Sequence, residues 1–227
     1  MSQELSKRII TSILLISLLT LTFFNTYILI ISLILIVIIS WIEFNGLISK
    51  IIKEENLKTK ITILIYRVFS ILYLLVFSIL IFNGVSDGIS EIEPKSRLNI
   101  FYLFSICVFS DMGGLFFGKT FKGKKLTKIS PNKTISGSIG SFILSISLAP
   151  LFYYIFDEFN NLQHLIILSI IISLICQLGD LFISYLKRNA KVKDTGNLLP
   201  GHGGVLDRID GILFAVPAGM MLWKILQ

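Results

Sequence analysis

The sequence predicts an all-α, polytopic integral membrane protein with about seven transmembrane helices, and three observations carry that prediction. Apolar runs of about 20 residues recur along the chain, each long enough to cross the hydrocarbon core as a helix. Of the 227 residues, 54% are hydrophobic and only 15% are charged, and mean hydropathy is +0.82. The basic residues collect in alternate loops between the runs. No polar stretch is long enough to bury a core of its own. The chain therefore reads as a single membrane domain, 1–227, with 1–97 as scaffold spans and 98–227 as the half that carries chemistry.

The spans follow in order. The first runs from Ile9 to Phe24, and Asn25 with Thr26 makes a tight turn into the second, Tyr27 to Phe44. A lone secretory signal does not fit, because the first apolar run leads directly into another. The third is Ile61 to Phe82, the fourth Leu98 to Phe117 and the fifth Ser138 to Phe156. The sixth is Leu162 to Tyr185 and the seventh Val205 to Leu226.

Loop charge orients them. Lys7 and Arg8 precede span one, and Lys50, Lys53, Lys58 and Lys60 separate spans two and three. Lys119, Lys122, Lys124, Lys125, Lys128 and Lys133 lie between four and five, and Lys187, Arg188, Lys191 and Lys193 between six and seven. The intervening loops are "NT", "DEFNN" and a mixed-charge segment from Asn83 to Arg97. By the positive-inside rule the basic side, with the N-terminus, is cytoplasmic. The net charge of +7 is thus explained by topology and anionic ligands rather than by nucleic acid. Cys107 and Cys176 sit inside apolar runs and read as small core residues.

Ionisable groups inside spans point to function. Asp111, Asp180, Asp207 and Asp210 all lie toward the cytoplasmic ends of their spans. Asp207 and Asp210 are three apart, which a helix puts on one face. Carboxylates converging at one depth repel unless a cation joins them, and oxygen ligands suit Mg²⁺. The alternative is that each acid pairs with a nearby Lys or Arg. Phosphate-binding features stand beside the acids. "SPNKT" sets Lys133 next to a Pro-Asn turn with hydroxyls on Ser130 and Thr134. "PGHGGV" is a glycine-rich entry into span seven, where backbone N–H groups can face an anion.

The stretch "SYLKRNAKVKDTGNLLPGHGGVLDRID", Ser184 to Asp210, resembles the signature of the phosphatidate cytidylyltransferases, or CDP-diacylglycerol synthases. A second block of that family is matched from Asp111 through Gly118-Lys119 to Thr134, and its Gly-Asp-Leu by Gly179, Asp180 and Leu181. "WIEFNGL", Trp41 to Leu47, resembles the family's Glu-aromatic at the end of an early span. The chain departs from the pattern at Leu115, Ser136 and Ile183, and is shorter by one or two N-terminal spans.

The resemblance implies a multi-pass enzyme of the bacterial inner membrane. It would join CTP and phosphatidate to give CDP-diacylglycerol and diphosphate, with Mg²⁺ and room for a second cation. Asp207, Asp210 and Asp180 would hold the metal, with Asp111 as a further candidate. Asp207, Asp210, Lys193, Asp194, His202 and Arg208 would form the catalytic set. Lys133, Ser130, Lys187, Arg188, Gly203, Gly204, Ser184 and Lys119 would bind the substrates. Partners implied are the two substrates and the lipid bilayer, with a homodimer left open and no nucleic acid. A CDP-alcohol phosphatidyltransferase would need Asp-Gly-x-x-Ala-Arg, whereas Asp210-Gly211 is followed by "ILFAV". A transporter would need polar groups continuing toward the outer face, and none continue.

Overall fold

The structure, a computed structural model, describes residues 3–86, 95–156, 159 and 161–226. Seven helices form among them: α1 (Gln3–Phe24), α2 (Thr26–Ile51), α3 (Leu57–Ser86), α4 (Lys95–Phe121), α5 (Ile135–Ile155), α6 (Leu162–Asn189) and α7 (Leu206–Leu226). The protein is all-helical and polytopic. Five helices, α2 to α6, are long and apolar enough to cross a bilayer, and α1 holds a shorter apolar run, Ile9–Phe24. The acidic loop positions Asp87, Glu91, Glu93, Asp157 and Glu158 lie outside the described residues.

The tight turn after span one needs only Asn25. Its Oδ1 accepts from Tyr27 N at 3.0 Å and Ile28 N at 3.2 Å, capping α2, while Thr26 is already helical. The other helices begin and end close to the expected edges, but several run past the last apolar residue. A helix does not stop where hydrophobicity stops; it stops where a cap or an extended residue interrupts its ladder. α2 accordingly continues to Ile51, ending at extended Ile52.

The chain divides into two compact units. Unit 1 is Met1–Ser86 with Leu186–Ile209, so the polar block between α6 and α7 belongs with α1, α2 and α3. Trp41 Nε1 donates to Arg67 O at 3.1 Å and ties α2 to α3. Unit 2 is Asp87–Tyr185 with Asp210–Gln227. There α4 and α5 approach so closely that a Cβ on Gly113 would strike the Gly140 carbonyl, and one on Gly137 would lie 2.8 Å from Gly114 O. Small residues give helices in lipid their van der Waals contact, since no hydrophobic effect drives them together. Fully buried Tyr102 donates to Leu165 O (3.1 Å) or meets Ser169 Oγ (2.6 Å), and its ring packs on Phe152, Phe159 and Trp223. Cys107 and Cys176 are free and buried.

Candidate active site

The candidate residues of unit 1 are arranged from the end of α6 onward. α6 closes with Lys191 N on Arg188 O (3.1 Å) and Val192 N on Lys187 O (2.9 Å), with Lys191 left-handed at φ 55°. This is the Schellman arrangement, here without its usual glycine. It ends the helical ladder and starts the polar segment. Leu199 to His202 then forms a tight turn: His202 N donates to Leu199 O at 2.9 Å, Pro200 takes the second position, and Gly201 takes the third at φ 74°. That is type II geometry, which requires positive φ at the third position. Gly203 is also left-handed, at φ 84°, and a Cβ there would lie 2.8 Å from Asp207 Oδ2. Only glycine fits.

Asp207 gathers this segment. Its side chain is 4% exposed. Oδ1 accepts from Lys187 Nζ at 2.6 Å. Oδ2 accepts from Thr195 N at 2.7 Å and Gly204 N at 3.0 Å. The Thr195 hydroxyl stands 3.0 Å from the same oxygen and 2.8 Å from Glu43 Oε2. Glu43, on α2, accepts in addition from Val205 N (3.0 Å) and Leu206 N (2.8 Å). Two of the unpaired N–H groups that open α7 are thus satisfied by a buried carboxylate from another helix, at the end of the dipole that favours negative charge. Neither Glu43 nor Thr195 was among the candidate site residues. A single Glu inside an apolar span was the available signal for the first.

His202 is held at both ends. Arg208 donates to its carbonyl from Nε (3.1 Å) and Nη2 (2.8 Å), and its Nε2 lies 3.3 Å from Ser12 Oγ on α1. Its Nδ1 is buried and has no partner among the described residues. Arg188, Lys193 and Asp194 are exposed.

Unit 2 carries its own group of candidate residues. Lys133 leaves a turn in which its N–H donates to Ser130 O at 3.0 Å. Leu126 N on Lys133 O and Ile135 N on Lys124 O zip the lysine-rich loop onto this turn. Thr134 caps α5 through Gly137 N at 3.1 Å. Ser136, where the sequence departs from the family pattern, accepts from Gly123 N at 3.2 Å. Lys133 forms an ion pair with Asp180, whose Oδ1 accepts from Ser184 Oγ at 3.3 Å. Of the other two departures, Ile183 is a core residue and Leu115 is exposed on α4. α6 and α7 cross with Gly179 against Asp210 O and Gly211 against Cys176, so Asp180 and Asp210 each sit one residue from the crossing. Asp210 Oδ1 accepts from Gly211 N at 2.8 Å. Asp111 and Lys119 are exposed on α4.

Among the described residues no three His, Cys, Asp or Glu side chains gather as a metal cage. The donor chemistry still fits Mg²⁺. That ion is usually held by one or two carboxylates and takes its remaining ligands from phosphates and water. Asp180 and Asp210 beside the α6–α7 crossing supply two all-oxygen donors within unit 2. Asp207, the third expected ligand, is enclosed by four donor groups of its own segment, whereas Asp180 meets one ammonium and one hydroxyl.

The comparisons with known proteins agree with one another. A family model described as "Cytidylyltransferase family" matches residues 1–226. The phosphatidate cytidylyltransferase of Rickettsia prowazekii (strain Madrid E) is 44% identical over 156 residues, covering 65% of this chain and 68% of that protein. The Bacillus subtilis (strain 168) protein of the same name is 40% identical over 131 residues, covering 56% of this chain and 49% of its own length. That of Staphylococcus haemolyticus (strain JCSC1435) is 45% identical over 120 residues, or 52% and 46%.

Proposed function

Because the chain belongs to the cytidylyltransferase family, which are nucleotidyltransferases, we propose that it joins CTP and phosphatidate to give CDP-diacylglycerol and diphosphate. The reaction is Mg²⁺-dependent and takes place at the cytoplasmic face of a bacterial inner membrane, with the N-terminus on that side. The relatives' names supply the substrates. The observation that carries the reading to this chain is a pair of Lys–Asp ion pairs, Lys133–Asp180 and Lys187–Asp207. Each joins a residue expected to bind phosphate to an expected metal ligand or catalytic acid. A ligand that brings phosphates and a divalent cation can exchange the Lys133–Asp180 pair for two new ones, the phosphate taking the ammonium and the cation the carboxylate, while Asp207 stays with Lys187.

In the proposed step an oxygen of the phosphatidate phosphate attacks the α-phosphorus of CTP. The bond from that phosphorus to the bridging oxygen breaks, and diphosphate leaves with the electron pair. Asp180 and Asp210, with Asp111 as a further candidate, would hold Mg²⁺, which would supply the positive charge that offsets repulsion between the two anions. Lys133 and Lys187 hold phosphate oxygens, and exposed Lys119, Arg188 and Lys193 draw the nucleotide from solution. His202 Nδ1 offers a hydrogen bond to a phosphate oxygen. Ser130 and Ser184 add hydroxyls, and Asp194 packs beside Gly203 of the glycine turn. Asp207 keeps Lys187, Thr195 and the Gly203–Gly204 backbone in place. Aligning two substrates in this way accounts for much of the acceleration available to phosphoryl-type transfer.

The test is conversion of labelled phosphatidate by the purified full chain in mixed micelles. CTP-dependent CDP-diacylglycerol that disappears with chelator supports the reading. No lipid product over a range of Mg²⁺ concentrations removes it.

A further inference from the structure

In unit 1 a cleft of about 380 Å³ runs between α2 and the segment after α6. Its α2 wall is Ile39, Ile42, Glu43, Gly46, Leu47 and Lys50, one helical stripe by its spacing of three and four. Thr195 to Leu198 forms the opposite wall. We propose that this cleft seats one acyl chain of the phosphatidate substrate, with the anionic headgroup at the Lys50 end. The proposal rests on the reading of the chain as an enzyme that acts on phosphatidate, and it assigns the lipid's place.

Four features favour a lipid chain. From Ile39 to Lys50 the stripe advances eleven residues, which at 1.5 Å each is about 16 Å. Its inner half, Ile39 to Phe44, lies within the apolar span, and the last two turns of α2 carry it out to the headgroup layer. The stripe is apolar except at Glu43 and Lys50, and Glu43 turns its oxygens to Thr195, Val205 and Leu206. Lys50 is in the last turn of α2, exposed, and without a carboxylate partner among the described residues. An apolar trough with a single cation at its aqueous end complements a fatty chain below a phosphate; it does not suit a triphosphate, which needs several cations. Gly46 gives the trough its width, since a Cβ there would meet nothing within 4 Å. Finally, the Thr195 of the opposite wall is the residue bonded to both Glu43 and Asp207. A chain lying in the cleft touches the segment that is hydrogen-bonded to Asp207.

Two measurements on the full chain in lipid nanodiscs test this. The first uses a phosphatidate analogue with a photoreactive diazirine midway along one acyl chain. Labelling should map to Ile39–Lys50 and Leu198, and unlabelled phosphatidate should suppress it while phosphatidylcholine does not. Absence of label there, or equal labelling by a phosphatidylcholine probe, overturns the proposal. This arm reads binding alone, so it decides the site even if no CDP-diacylglycerol is formed, an outcome that would fail the functional reading instead. The second measurement is kinetic. Gly46→Leu should raise KM for phosphatidate roughly tenfold, as expected when about two methylenes lose contact, with kcat and KM for CTP within about twofold of wild type. Gly46→Ala, which leaves the trough open and favours the helix, should keep the wild-type KM. An unchanged phosphatidate KM in Gly46→Leu, or equal rises for both substrates, contradicts the assignment.

Discussion

Asp207 and Asp210 stand three residues apart, yet the structure gives them different work. Asp207 holds a part-buried ammonium, two backbone N–H groups and a hydroxyl. Asp207→Asn leaves the part-buried Lys187 without its counter-charge, a loss of about 3 kcal/mol, the low end for such pairs. That variant should lose turnover and also unfold at lower temperature in detergent. Asp210→Asn should lose turnover while keeping most of its thermal stability, and raised Mg²⁺ should recover part of the activity. Thermal unfolding and initial rates on both variants check this; equal stability losses would contradict the division. Gly203→Ala puts a methyl against Asp207 Oδ2 at left-handed φ, a cost of about 1–2 kcal/mol from the backbone alone. It should lower turnover at least tenfold, read in the same assay. The acids and lysines were legible in the sequence because charge inside an apolar span is conspicuous. Thr195 was not, because a threonine in a polar loop carries no such mark, and its role comes from a hydroxyl set between Glu43 and Asp207, which lie 164 positions apart in the chain.

At the scale of elements, hydrophobicity located every helix, and capping set where each one ends. The last two turns of α2 extend beyond the apolar edge expected at Phe44, and they carry Gly46 and Lys50. The sequence could not show this, since a helix leaving the bilayer continues until its ladder is interrupted. Asn25 was legible because its side chain caps locally. Glu43 capping α7 was not, because that cap arrives from another helix. Glu43→Gln keeps the shape but loses the charge and at least one acceptor facing α7. It should cost about 1–2 kcal/mol of stability, as caps do, and lower kcat with the start of α7. Topology is tested by single cysteines at Lys124 and Gln163 in a chain without Cys107 and Cys176. An impermeant thiol reagent on intact cells should label Gln163 and spare Lys124; the reverse pattern would put the basic loops outside.

For the whole molecule, the sequence separates early scaffold spans from a later chemical half, whereas the contacts group the polar block 186–209 with α1, α2 and α3. Ser12 meets His202, Thr11 donates to Pro200 O at 3.0 Å, and Glu43 caps α7. The early helices therefore contribute directly to the candidate site, through contacts that close over long separations and that no local pattern announces. The central claim concerns which phosphorus of CTP is transferred, and to what. It is tested by giving the purified chain phosphatidate with CTP labelled at the α-phosphate in one reaction and at the γ-phosphate in another. The account predicts that the α-label enters the organic phase as CDP-diacylglycerol and the γ-label stays in water as diphosphate. Lipid carrying the γ-label, or no lipid label from either CTP, would contradict it.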